Sequence, residues 1–423
     1  MTYRWVLGLG CLVMLGCNGG EYAESAAQDA EGAAGTRAAV ATAPGEVAGT
    51  GSIAEVAKPA GLIAHEWGTF TSVVGSDGVL LEGLHHEEEA LPAFVYGRAP
   101  ISNNQTKRIE ALPEGVTQKM ETPVIYFYTP EPVDVSVRVD FPDGVLSEWY
   151  PAAASFAPAI GALDRIGQGT MQWDVRLAHE PADLVEVHPE DIWAPSREVP
   201  GAATVTAGDE HERFIFYRGL ARFETPLQVT ADAQGLVHIH NSSAQRIPAA
   251  FLLHVHEGGG SITKLGAVGP GTTVSASPSP KESPGDYENI AAAAIAEELE
   301  ASGLYRDEAL SMVNTWRRSY FGNHGLRVLY ILPAEWTDKL LPLHIEPAPV
   351  EVVRTLVGRV EVLTPAEEGA FVAELEGSRG QEFPVEGLGR FAEPKLRRAL
   401  QLVRPEAREL VESLLAAQAA QMP

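Results

Sequence analysis

A chain of 423 residues that is 45% hydrophobic has material for one large domain or two ordinary ones. Its formal charge of −26 argues against binding nucleic acid or anionic headgroups by charge, because both would be repelled. It contains two cysteines, Cys11 and Cys17, and both lie at the extreme N-terminus.

Met1 to Gly16 carries one positive charge, Arg4, followed by an apolar run from Trp5 to Leu15. A charged start, a short apolar stretch and a small residue before the cut make a secretory signal. The cysteine directly after Met14-Leu15-Gly16 makes this segment similar to bacterial lipoprotein signals. That resemblance implies cleavage before Cys17, a diacylglycerol (palmitate-type) chain on its thiol, and partnership with a membrane through this lipid. Met14 departs from the leucine more usual there, and Cys11 is a weaker candidate because Gly8 would occupy its apolar position. Trp5 to Cys17 is too short for the ~20 residues of a bilayer-spanning helix. Asn18, rather than an aspartate, leans towards an outer-membrane destination. Cleavage removes Cys11 and acylation occupies Cys17, so the mature chain is expected to have no thiol for a disulfide or a thiolate site. Residues 17–60 are rich in Ala, Gly, Thr and Glu and read as a disordered, lipid-attached tether. A flexible chain of that length spans roughly 35 Å.

Residues 61–268 read as an antiparallel, sandwich-like β-rich domain. A short apolar run covers 124–129. Val133, Val135, Val137 and Val139 then alternate with Asp, Ser and Arg, a period-two pattern that Pro142-Asp143-Gly144 ends with a turn. Further strands fit 171–177, 213–217, 227–231, 236–241, 251–256 and 261–268. Residues 269–286, with Pro270, Pro278, Pro280 and Pro284 among serines, read as a linker. Beyond it, 287–423 read as a helix-rich α+β portion. Helices are predicted over 287–301 and 306–321, with Gly303 as a stop signal and Ala309, Met312, Val313, Trp316 and Tyr320 on one stripe. Strands fit 326–332, 343–346 and 352–363, with a short helix near Glu335. Thr364-Pro365 opens another helix, and two pieces split by Pro405 end the chain.

Two stretches carry a second resemblance: Ala64-His-Glu-Trp-Gly-Thr-Phe-Thr-Ser72, and Gly325-Leu-Arg-Val-Leu-Tyr-Ile-Leu-Pro333 running on to Val357-Gly-Arg-Val-Glu-Val-Leu-Thr-Pro365. They are similar to strings in a group of exported bacterial proteins with no assigned activity. The resemblance implies an exported module and transfers no site residue.

The chemistry with the clearest geometric argument is a pair of His-x-His units, His238 with His240 and His254 with His256. Residues two apart in a strand share a face. If the two strands form a hairpin through 242–250, a register pairing His238 with His256 and His240 with His254 brings opposed Cβ atoms to roughly 4.5–5.5 Å. Four imidazoles so placed suit zinc or copper, and an open coordination position would activate water. The competing reading is the polar face of an amphipathic hairpin; charge gained in acid is a third. In His65-Glu66-Trp67, adjacent strand residues point to opposite faces, so Trp67 reads as a core anchor and Gly68 as a turn. His85, His86, Glu87, Glu88 and Glu89 read as a solvated loop, and His211-Glu212 lacks the second histidine of a helical zinc motif. Trp149, Tyr150 and Trp193 could stack on sugars, though packing explains them as well. The expected function is therefore an envelope-anchored lipoprotein that binds or scaffolds, its protein or glycan partner left open. The alternative is a metal-dependent hydrolase or redox protein using His238, His240, His254 and His256.

Overall fold

The computed structural model describes residues 59–84, 90–98, 115–159, 166–378, 383, 389 and 391–421. Cys17, with its signal and nearly all of the tether, and residues 85–89 lie outside them.

The chain opens with β1 (Ile63–Val74), β2 (Tyr96–Gly97), β3 (Gln118–Tyr128), β4 (Val133–Phe141), β5 (Gly144–Tyr150) and β6 (Ser155–Ala157). Then come β7 (Gly169–Ala178), β8 (Thr204–Ala207), β9 (Glu210–Glu212), β10 (Ile215–Ala221) and β11 (Leu227–Ala231). β12 (Val237–Asn241), β13 (Ile247–His256), β14 (Gly259–Val268) and β15 (Thr273–Ala276) complete this β-rich part. Helices α1 (Pro284–Ala301) and α2 (Arg306–Thr315) lead to β16 (Gly325–Ile331), α3 (Ala334–Leu340), β17 (Leu343–Glu346) and β18 (Glu351–Val362). The last elements are α4 (Pro365–Gly377), α5 (Ala392–Leu402) and α6 (Pro405–Gln421). The fold is α+β, antiparallel and β-rich first and helix-rich later, as the periodicities predict. Among the described residues, no helix is long and apolar enough to cross a membrane.

The strands form three sheets. The largest has the order β14-β13-β16-β18-β1-β3-β10-β5-β2. β1 and β18 at its centre run parallel, and their neighbours β3 and β16 join antiparallel. A second sheet contains β17-β4-β7-β8-β9 with β6 on β7, and a third contains β11-β12-β15. The nine-stranded sheet is covered on both faces. On one, Trp67, Tyr126, Phe251 and Leu329 pack with Tyr287 and Ile295 of α1 and Met312 and Val313 of α2. On the other, Ile125, Leu252 and Val360 pack with Val137 and Trp173 of the second sheet and Val229 and Ile239 of the third. The valines of β4 supply this layer, and its Asp134, Ser136 and Arg138 face outward.

Strands β16 and β18 lie between β13 and β1, so the 61–268 and 287–423 portions share one core. Two expectations change. Part of the expected linker is a strand, since β15 pairs with β12. Nor does Gly68 turn the chain. β1 runs straight through it, buried along its whole length. The register with β3 slips between Trp67 and Thr69, where β3 carries an extra residue and Thr122 adopts a φ of 54°. A Cβ on Gly68 would stand 2.9 Å from Pro123 Cα and 3.0 Å from Leu356 Cδ2, so glycine allows this close approach.

Candidate functional site

The recognisable strings become one structural unit. Ala64–Ser72 lies in β1, Gly325–Pro333 covers β16, and Val357–Pro365 covers the second half of β18. These are three adjacent central strands, in the order β16-β18-β1. Because both faces of β1 are buried, each polar side chain of its string needs a partner inside a core.

Glu66 is fully buried on the face towards the smaller sheets and stands opposite Arg354 of β18. Arg354 donates from Nε to Glu66 Oε2 at 2.7 Å, and its Nη2 lies 2.7 Å from the same oxygen. Its Nη1 reaches Asp338 Oδ1 of α3 at 2.8 Å, and Tyr217 donates its hydroxyl to Glu66 Oε1. Burial disfavours the charged guanidinium, but the Glu66 carboxylate more than reverses this and holds Arg354 protonated. Burial, then Glu66, raises Tyr217 far above the usual phenol range, so it stays a donor. Arg354 and Asp338 line an open cleft of about 870 Å³, with Ser136, Arg138, Gln172 and His344 along its other side. Both charge signs and several neutral hydrogen-bonding groups meet there, beside the aliphatic Leu343, Ile345 and Val352.

His65 points to the opposite face. Its Nδ1 lies 2.8 Å from Glu308 Oε2 of α2, and both side chains are fully buried. Glu308 also accepts the Tyr128 hydroxyl at 2.7 Å and the Tyr305 amide at 2.7 Å, while the Tyr305 ring lies 4.5 Å from the imidazole. His65 and Glu66 thus do not form an acid–base pair, as their adjacency in a strand predicts; each secures a different layer.

A set of charged residues that the sequence reading passed over lies further along the helix-facing side. Arg327 of β16 and Arg359 of β18, both fully buried, share Glu361: Arg327 Nε is 3.0 Å and Arg359 Nη2 2.6 Å from Glu361 Oε1. Arg327 also donates to the carbonyls of Ser319, Tyr320 and Asn323. The Arg359 guanidinium lies 4.0 Å from the Tyr320 ring centre. Tyr320 and Thr71 donate to Glu121 Oε2 of β3 at 2.7 and 2.6 Å. Buried Lys119 and Arg218 continue the row on β3 and β10, with Glu148 opposite Arg218 on β5. A usable signal existed: Arg327, Arg359 and Glu361 are charges set inside apolar strand runs.

The four histidines do not assemble. Parity is as predicted, with Val237, Ile239, Leu253 and Val255 buried and the histidines half-buried. The hairpin does not form, however. β12 pairs with β11 and β15, while β13 pairs with β14 and β16 in the nine-stranded sheet. His238 and His240 are therefore on a different sheet from His254 and His256. Among the described residues, no group of three or more His, Cys, Asp or Glu could hold a metal ion.

Trp149, Tyr150 and Trp193 are buried against Phe94, Tyr96 and Phe156, which makes them packing residues. Glu212 is buried too. It accepts Trp193 Nε1 at 2.8 Å and Arg197 Nη2 at 2.7 Å, and so ties down the loop before β8.

No family model matches the chain, and no curated protein is similar to it. Among solved structures, the yeast delta-COP-I mu-homology domain aligns at a TM-score of 0.26 and 7% identity. The same domain complexed with a Dsl1 WxWxV peptide aligns at 0.28 and 9% identity, covering 72% of this chain and 98% of that one. Likeness at this level carries no argument about fold or activity.

Proposed function

We propose that this chain is an envelope lipoprotein, anchored through Cys17 at the outer membrane, that binds a polar ligand rather than turning one over. The carrying observation is that Glu66, inside the most recognisable string, fixes Arg354 at the wall of the cleft. A guanidinium locked by a buried carboxylate is a preorganised contact, not a titrating catalyst. The cleft volume suits a small ligand or a short peptide, and its mixed charges favour a zwitterion. The metal-hydrolase alternative is less favoured, because the two histidine pairs occupy different sheets.

Anchoring has a direct test. Labelled palmitate is expected to enter the wild type and not Cys17→Ser, and equal labelling of both removes the lipoprotein reading. For binding, the untagged mature chain is titrated calorimetrically against a panel of di- and tripeptides and amino sugars. At least one member is expected to bind at one equivalent, to be recovered unchanged, and to bind at least tenfold more weakly to Arg138→Ala. A silent panel, or recovery of a cleaved product, counts against the binding reading.

A further inference from the structure

The two His-x-His units differ in what holds their rings. On β12 each imidazole is tied to its own cross-strand neighbour: His238 Nδ1 lies 2.8 Å from Ser275 Oγ, and His240 Nδ1 lies 3.0 Å from Thr273 Oγ1. On β13 the rings lean together instead. The centres of His254 and His256 are 5.0 Å apart, with ring planes at 68°. Among the described residues, no side-chain hydrogen bond holds either ring. The contact at His256 Nδ1 is the Glu257 carbonyl, at 3.4 Å. That carbonyl favours a proton on Nδ1, which leaves the Nε2 lone pair free for a metal.

The ring separation can be compared with a chelate. An ion ~2.0–2.1 Å from one nitrogen of each ring lies about 3.2 Å from each ring centre. Donor angles between square-planar and tetrahedral then put the two centres about 4.5–5.2 Å apart. The observed spacing of 5.0 Å falls inside that window. We propose that His254 and His256 chelate one divalent transition-metal ion at the end of β13, copper more tightly than zinc, with water completing the coordination.

The surroundings agree. Glu367 at the start of α4 supplies a negative charge, and Arg327 opposes it. The residues opposite on β14, Ser261 for His254 and Gly259 for His256, are small.

The test uses the full mature chain without a histidine tag, stripped with a chelator and titrated with copper(II) chloride and separately with zinc chloride. One copper equivalent is expected, with hyperfine coupling to two imidazole nitrogens in its paramagnetic resonance spectrum, and weaker zinc binding. His254→Gln and His256→Gln, each with wild-type circular dichroism, are expected to lose at least tenfold in copper affinity and to show one nitrogen. His238→Gln combined with His240→Gln is expected to change neither readout. Absence of a copper equivalent in the wild type, unchanged binding in folded His256→Gln, or loss of the site in the β12 double variant overturns the proposal.

Discussion

Glu361→Gln is expected to lower stability by about 3–5 kcal/mol, the range found when one member of a buried ionic group is removed. Its carboxylate serves two fully buried guanidiniums, Arg327 and Arg359, on adjacent central strands. Glutamine keeps the volume but not the charge, so two cations are left in a low-dielectric layer with their shared counter-charge gone. The measurement is the urea midpoint of the untagged chain, followed by tryptophan fluorescence. Glu297→Gln is the control, because its pair with Lys264 is solvent-exposed and exposed pairs contribute about 0–1 kcal/mol. Equal midpoints for Glu361→Gln and wild type would show that the row is not a source of stability.

Glu66→Gln is expected to cost a similar ~3–5 kcal/mol, by the same physics on the other face. Arg354 would remain almost buried without its carboxylate partner, and Tyr217 would lose its anionic acceptor. The diagnostic is a double-variant cycle of Glu66→Leu and Arg354→Met. If the pair is the source of the loss, the double variant recovers most of what Glu66→Leu loses, since a well-packed apolar pair can replace a buried ion pair. Asp338→Asn sets the baseline. Asp338 is 62% exposed, so this change is expected to lie within about 1 kcal/mol of wild type. Additive losses in the cycle would mean that Glu66 stabilises the fold by some route other than Arg354.

Much of this architecture could be read from the residues. The alternation along β4 gave both its strand and its buried face, and the Ala309, Met312, Val313, Trp316 and Tyr320 set is buried as predicted, although α2 stops at Thr315 and the last two residues lie beyond it. Thr364-Pro365 does open a helix, and Thr364 and Glu367 form a reciprocal cap there. What could not be read is partner choice. β12 and β13 are neighbours in the chain, and the short connection between them fits a hairpin, yet β13 pairs with β16, about seventy residues further on. Alternation specifies a face and not a partner, so the histidine cluster failed while the parity behind it held. The buried charges were missed for a related reason. A charge in a strand ordinarily marks the solvent side, and that inference fails in a sheet covered on both faces.

The parallel union of β1 with β18 joins Ile63 to Glu351 and Val74 to Val362. The seam at the heart of the molecule therefore cannot close until about six-sevenths of the polypeptide has been made. Until then β1 presents an open edge, and the helical roof has only half a floor to rest on. Such distant closure makes assembly slow. A shortened product ending anywhere before β18 would keep a long, sticky, unzipped strand rather than a smaller version of the same protein.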